Sequence, residues 1–176
     1  SVNISTKHFR KGNFVAQVNG ILEETGLPPS CLELEVTETA MMKDFDQTIS
    51  FLKQLRSMGI AFSLDDFGTG YSSLNYLHSL PIQTLKIDKS FISAIDKDPR
   101  QQKLVGAIIA MAGHMGLDTL AEGLETQEEL EVLTKLGCGF AQGYAIARPM
   151  PKQDLLRWVQ RRSAFQINHK LNNATG

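Results

Sequence analysis

The chain has 176 residues, 42% of them hydrophobic and 21% charged, which suits one well-filled domain of ordinary soluble composition. A formal net charge of −1 excludes a general attraction to nucleic-acid polymers or anionic membranes, so any polyanionic ligand has to be held by a local arrangement of groups. Apolar runs are far shorter than a bilayer span and no signal-peptide pattern is read, while the two cysteines, Cys31 and Cys138, read as reduced thiols. The expected compartment is the cytoplasm, for a soluble protein or the cytoplasmic part of a membrane-anchored one.

In chain order, Val2–Ser5 reads as a strand, followed by a helix from Gly12 to Thr25 with Phe14, Val18, Ile21 and Leu22 on one face. Gly26 and Pro28-Pro29 stop it. Leu32–Thr37 is strand-like, and a helix from Asp46 carries Ile49, Leu52, Leu55 and Met58 up to a stop at Gly59. Ile60–Leu64 is a short buried strand with Asp65-Asp66 at its exit, then the loop Gly68-Thr69-Gly70-Tyr71-Ser72-Ser73 and a short helix over Ser73–Ser79. Thr84–Asp88 is a strand, and Pro99–Met115 a helix with Leu104, Val105, Ile108, Ile109 and Ala112 as its apolar residues. Thr119–Glu122 is a strand, Thr126–Lys135 a helix opened by a capping-box pattern ending in Glu129, and Phe140–Tyr144 a final short strand. Pro151 opens an amphipathic helix toward Phe165, so the expected domain is 1–166 with a polar tail over 167–176.

Such alternation of strand and helix implies parallel strands with crossover helices, in a doubly wound sheet or a TIM-like (βα)8 barrel. Every strand ends in a polar or ionisable residue: Asn3, Glu35, Asp65 with Asp66, Lys86, Glu122 and Gln142. A doubly wound sheet gathers only the ends near its switch point, whereas a barrel gathers all of them around one mouth. The expected fold is therefore the barrel, with roughly six βα units in this chain.

Four carboxylates brought together without cations would push some of their pKa values upward, so one or two divalent ions are implied. Neither Cys nor His stands at these strand ends, which favours the oxygen-binding ions Mg²⁺ or Mn²⁺ over zinc. Asp65 and Asp66 can serve two ions, the arrangement of two-metal phosphodiester hydrolysis, with Lys86 holding water or stabilising developing charge. Competing readings are a solvated turn at Asp65-Asp66, and a Schiff-base lysine at Lys86, which neighbouring carboxylates oppose by raising its pKa.

Together the segments Val2-Asn3-Ile4-Ser5, Leu32–Glu38, Asp65–Leu74, Leu85–Asp88, Ala121–Thr126 and Gln142-Gly143-Tyr144 with Pro149-Met150-Pro151 resemble the EAL domain of bacterial cyclic di-GMP phosphodiesterases. The resemblance implies a (βα)8 barrel with one reversed strand that hydrolyses cyclic di-GMP to linear pGpG with two Mg²⁺ or Mn²⁺ ions. It implies Asn3, Glu35 and Asp65 on the first ion, Asp65 and Asp66 on the second, and Glu122 as a metal-proximal base. By the same resemblance Lys86 orients the water, Glu125 and Gln142 support it, and Asp66, Gln142, Gly143 and Pro149 lie against substrate. Glu38 resembles the anchor of a loop linked in the family to dimerisation and regulation. A homodimer and fused or partner GGDEF or sensor domains are implied as well.

The Glu-Ala-Leu of the family's name does not occur here, and the chain is expected to start after the first two βα units. The piece alone is therefore expected to leave two strand edges open and to be nearly inactive. A non-catalytic cyclic di-GMP receptor is the alternative, to be told apart by the tripeptide upstream.

Overall fold

The structure, a computed structural model, describes residues 1–5, 8, 13–42, 45–69 and 77–161. It divides into two compact units, Ser1–Ile146 and Ala147–Gly176. Among the described residues the first unit contains six strands: β1 Val2–Ile4, β2 Glu33–Thr37, β3 Ala61–Phe67, β4 Thr84–Ile87, β5 Asp118–Ala121 and β6 Phe140–Ala141. Helices alternate with them: α1 Phe14–Thr25, α2 Glu38–Met42, α3 Phe45–Ser57, α4 Lys89–Ile92, α5 Pro99–His114 and α6 Gln127–Lys135. In the second unit a helix α7 spans 152–161, with Arg157 and Asp154 paired across one turn at 3.5 Å.

All five strand pairings are parallel, and the order across the sheet is β1-β2-β3-β4-β5-β6. A doubly wound sheet reverses direction at a switch point; this one never does, which is the strand order of a barrel. Among the described residues β1 and β6 do not pair, so the arc stays open at both edges.

Alternation along each strand sorts the residues into two layers. Leu34, Val36, Phe62, Leu64, Leu85, Ile87 and Ala121 point toward the helices and join Leu22, Leu52, Leu55, Val105, Ile109 and Leu133 in one core. The opposite face carries Glu35, Ser63, Asp65, Thr84 and Lys86, because Glu35 is in register with Ser63 and Ser63 with Thr84. Hydrophobic burial thus sits between sheet and helices, where each fully buried Leu contributes about 1.5–3 kcal/mol, and the opposite face carries the charged groups of β2, β3 and β4, with Leu120 and Phe140 in register beside them.

Several elements depart from the sequence reading. Strand β3 does not end at Leu64 but continues through both aspartates to Phe67, because a register shift between Leu64 and Phe67, with Asp66 at φ 55°, absorbs the local misfit. Helices α2 and α4 were not anticipated, β6 ends at Ala141 rather than Tyr144, and Ile21 and Leu104 are exposed instead of joining their buried stripes. In α1 the buried stripe is narrower than periodicity suggests, centred on Val18 and Leu22. Asp98 caps α5 ahead of Pro99, and the capping box of α6 is formed as expected. Most of the helix expected over Ser73–Ser79, the loop from Gly70 onward and the tail 167–176 lie outside the described residues.

Candidate metal-binding active site

The C-terminal ends of β2, β3, β4 and β5 converge on one ammonium. Lys86 Nζ donates to Glu35 Oε2 at 2.7 Å and Asp65 Oδ1 at 2.9 Å, and lies 2.7 Å from Glu122 Oε1. Lys86 is 5% exposed, Glu35 and Asp65 8% each. Charges this far from water are tolerable only when paired, and three carboxylates around one cation leave a surplus of negative charge.

The electrostatics follow from that surplus. Burial opposes the charge on Lys86, but hydrogen bonds to Glu122, Glu35 and Asp65 win, holding its pKa above the ordinary lysine value. Burial pushes Glu35 up, and Lys86 with Ser1 outweighs it, leaving this carboxyl below its usual range. Glu122 goes the other way: burial raises its pKa, only partly offset by Lys86, with Asp65 and Glu35 adding repulsion. Asp66 is raised too, by burial and then by the like charges of Asp65 and Asp88.

A cation is what relieves this arrangement. Asp65, Asp66 and Glu122 each offer a carboxylate oxygen, all within 4.8 Å of one another. An all-oxygen donor set of net negative charge fits a hard divalent ion. The residues present therefore fit the ion that the sequence implies, with Asp65 and Asp66 standing at the register shift in β3.

The other expected site residues fall into place unevenly. Gln142, just past β6, donates from Nε2 to Glu122 Oε1 at 2.7 Å and so belongs to the cluster. Asn3 stands in register with Glu35 on β1 and is exposed. Glu125 is not on Lys86; it pairs with Lys89 of α4 at the rim. Glu38, buried at the start of α2, accepts from Gly68 N at 3.2 Å, just past the end of β3. Gly143 packs on the backbone of Leu124, where a Cβ would come within 2.1 Å of the Leu124 carbonyl oxygen. Pro149 belongs to the second unit and is described only within it.

Sequence reasoning missed two participants. Lys89 gives no periodic signal, since α4 is one turn long. Glu129 was visible as a cap residue, but its buried carboxylate also reaches Ala94 N at 2.9 Å, a contact across 35 positions that no local pattern announces.

The EAL domain family model matches residues 1–149. The chain is 45% identical over 159 residues to the bifunctional diguanylate cyclase/cyclic di-GMP phosphodiesterase MucR of Pseudomonas aeruginosa, covering 90% of this chain and 23% of MucR. It thus spans about a quarter of that relative's length. Among solved structures, the EAL domain of Mycobacterium smegmatis DcpA superposes with a TM-score of 0.84 at 38% identity, covering 90% of this chain and 71% of that one. Klebsiella pneumoniae BlrP1, in a complex with manganese and cyclic di-GMP, superposes with a TM-score of 0.78 at 32% identity, over 84% of this chain and 38% of that one.

Proposed function

Since the chain belongs to the EAL domain family, we propose that the protein containing it hydrolyses one phosphodiester of cyclic di-GMP to linear pGpG with two Mg²⁺ or Mn²⁺ ions. The observation that carries this reading is the Lys86 cluster: three carboxylates from three strands on one ammonium, with Asp66 beside them.

Asp65 and Asp66 would hold one ion with Glu122 beside it, and Asn3, Glu35 and Asp65 the other. Bound divalent ions supply water activation and neutralise charge building on the phosphate. Lys86, kept charged by its three partners, is an electrostatic group rather than a free amine, which disfavours a Schiff-base lysine. It orients the water and stabilises negative charge as the bond to phosphorus forms. Glu122, beside the ion of Asp65 and Asp66 and fixed at Oε1 by Lys86 and Gln142, would act as the proton acceptor through Oε2.

By analogy with the family, the loop that Glu38 anchors through Gly68 supports a regulatory homodimer. Two free cysteines, Cys31 and Cys138, support a cytoplasmic site of action. The test is pGpG release from cyclic di-GMP by the intact protein in Mn²⁺ or Mg²⁺. Loss of release on chelation and in Asp65→Asn is expected. Nucleotide binding without pGpG would leave a receptor instead.

A further inference from the structure

The loop from Glu122 to Thr126 brings two acidic groups to the rim, and it is gripped from both sides. On the β6 side Leu124 N donates to Gln142 O and Ala145 N to Leu124 O, each at 3.0 Å. On the other side stands Glu129, a carboxylate only 4% exposed. Its Oε2 accepts from Glu125 N at 2.8 Å and Thr126 N at 3.1 Å, and its Oε1 accepts from Ala94 N at 2.9 Å.

A helix cap requires only the Thr126 part of this. The reciprocal bonds between Thr126 and Glu129 complete the capping box; the bonds from Glu125 N and Ala94 N lie outside it. Ala94 sits at φ 60°, a left-handed conformation unusual for a residue with a Cβ, in the turn that follows α4. Helix α4 carries Lys89, and Lys89 pairs with Glu125. The contacts close a ring: Glu129 to Ala94, through α4 to Lys89, across to Glu125, and back to Glu129.

We infer that Glu129 is a positioning residue of the active site, its carboxylate tying the Glu122–Thr126 loop to the α4 turn so that Glu122 and Glu125 are presented at fixed places on the rim. Its kinetic consequence rests on the phosphodiesterase reading. In glutamine one acceptor oxygen becomes an NH₂ group, so at least one of the three backbone N–H groups then faces another donor.

The experiment compares Glu129→Gln with Thr126→Ala in the intact protein. The second variant removes the side-chain half of the cap and leaves the carboxylate's bonds to Glu125 and Ala94 in place. Glu129→Gln is expected to lower kcat about tenfold or more while KM moves little, as displaced catalytic groups do. Hydrogen exchange at the amides of Ala94, Glu125 and Thr126 should speed up on the order of tenfold. Thr126→Ala should keep kcat near the wild-type value at temperatures where it is folded. Should Glu129→Gln fail to fold, Glu129→Asp, which keeps the charge but shortens the reach, is expected to show the same loss of kcat. Wild-type kcat in the folded Glu129 variant, or equal losses in Glu129→Gln and Thr126→Ala, would overturn the inference. A wild-type protein without turnover would instead overturn the phosphodiesterase reading, and amide exchange at the same three positions would then decide the role of Glu129 alone: faster exchange upholds it, unchanged exchange refutes it.

Discussion

The two ends of the six-stranded sheet hold their site residues in different ways. Toward β5 and β6, Glu122 is engaged by Lys86 and Gln142, Gln142 is followed by a glycine pressed on Leu124, and the loop between is clamped by Glu129. Toward β1, Asn3 is exposed, and the strand borders an apolar groove of about 570 Å³ lined by Val2, Val18, Ile21, Leu22, Leu27 and Leu34. One end is preorganised by hydrogen bonds. The other presents its proposed ligand, Asn3, from an exposed position on β1. A site proposed to bind metal and phosphate draws rigidity from the first end.

Changes at the preorganised end should do the most damage. Lys86→Met removes the cation shared by Glu35, Asp65 and Glu122, which is expected to cost about 3–5 kcal/mol of stability and turnover by about a thousandfold, measured by denaturant unfolding and pGpG release. Asp66→Asn leaves the fold intact and removes one carboxylate from the cluster, so Mn²⁺ affinity should fall by about tenfold or more in a calorimetric titration. Gly143→Ala drives a Cβ to 2.1 Å from the Leu124 carbonyl oxygen, and the backbone has to shift. The expected loss is about 1–3 kcal/mol, with slower turnover because the Glu122 loop moves with Leu124.

At the β1 end the same kind of change should be nearly silent for stability. Asn3→Ala is expected to alter unfolding free energy by no more than about 0.5 kcal/mol, while weakening the binding of one metal ion. An equal stability loss at Asn3 and Gly143 would erase the contrast between the two ends.

The smallest effect is a pH dependence. Burial pushes Glu129 up, but the N–H groups of Glu125, Ala94 and Thr126 outweigh it and hold the carboxyl below its ordinary 4.5. A lowered folded value means stability that is fully present above pH 4.5 and is lost as pH falls through the folded value. The stability difference between wild type and Glu129→Gln should therefore be flat at neutral pH and shrink only in acid, a shape that chemical denaturation across pH will show.

How much of this was legible beforehand depended on how local the signal was. The polar strand ends were readable because each short apolar run is followed by a polar or ionisable residue, so Glu35, Asp65 and Lys86 could be assigned to one barrel mouth without coordinates. The cap of α6 was readable because a capping box spans four adjacent residues. The end of β3 was not. An Asp-Asp pair before glycine reads as a turn, and only the pairing of Thr37 with Asp65 and of Phe67 with Ile87 carries the strand through it. Helix α4 is too short for any periodicity, and the Ala94–Glu129 contact joins segments 35 residues apart. Ile21 satisfied the helical stripe but is exposed, since periodicity counts apolar residues without knowing which strand covers them.

Everything proposed for the site depends on its carboxylates being a divalent-cation site. Titrating Mn²⁺ into the intact protein, followed by electron paramagnetic resonance of the free ion, tests this without reference to turnover. Wild type should take up Mn²⁺, and Asp65→Asn, which alters the carboxylate common to both proposed ions, should take up far less. Equal uptake by the two proteins would contradict the account.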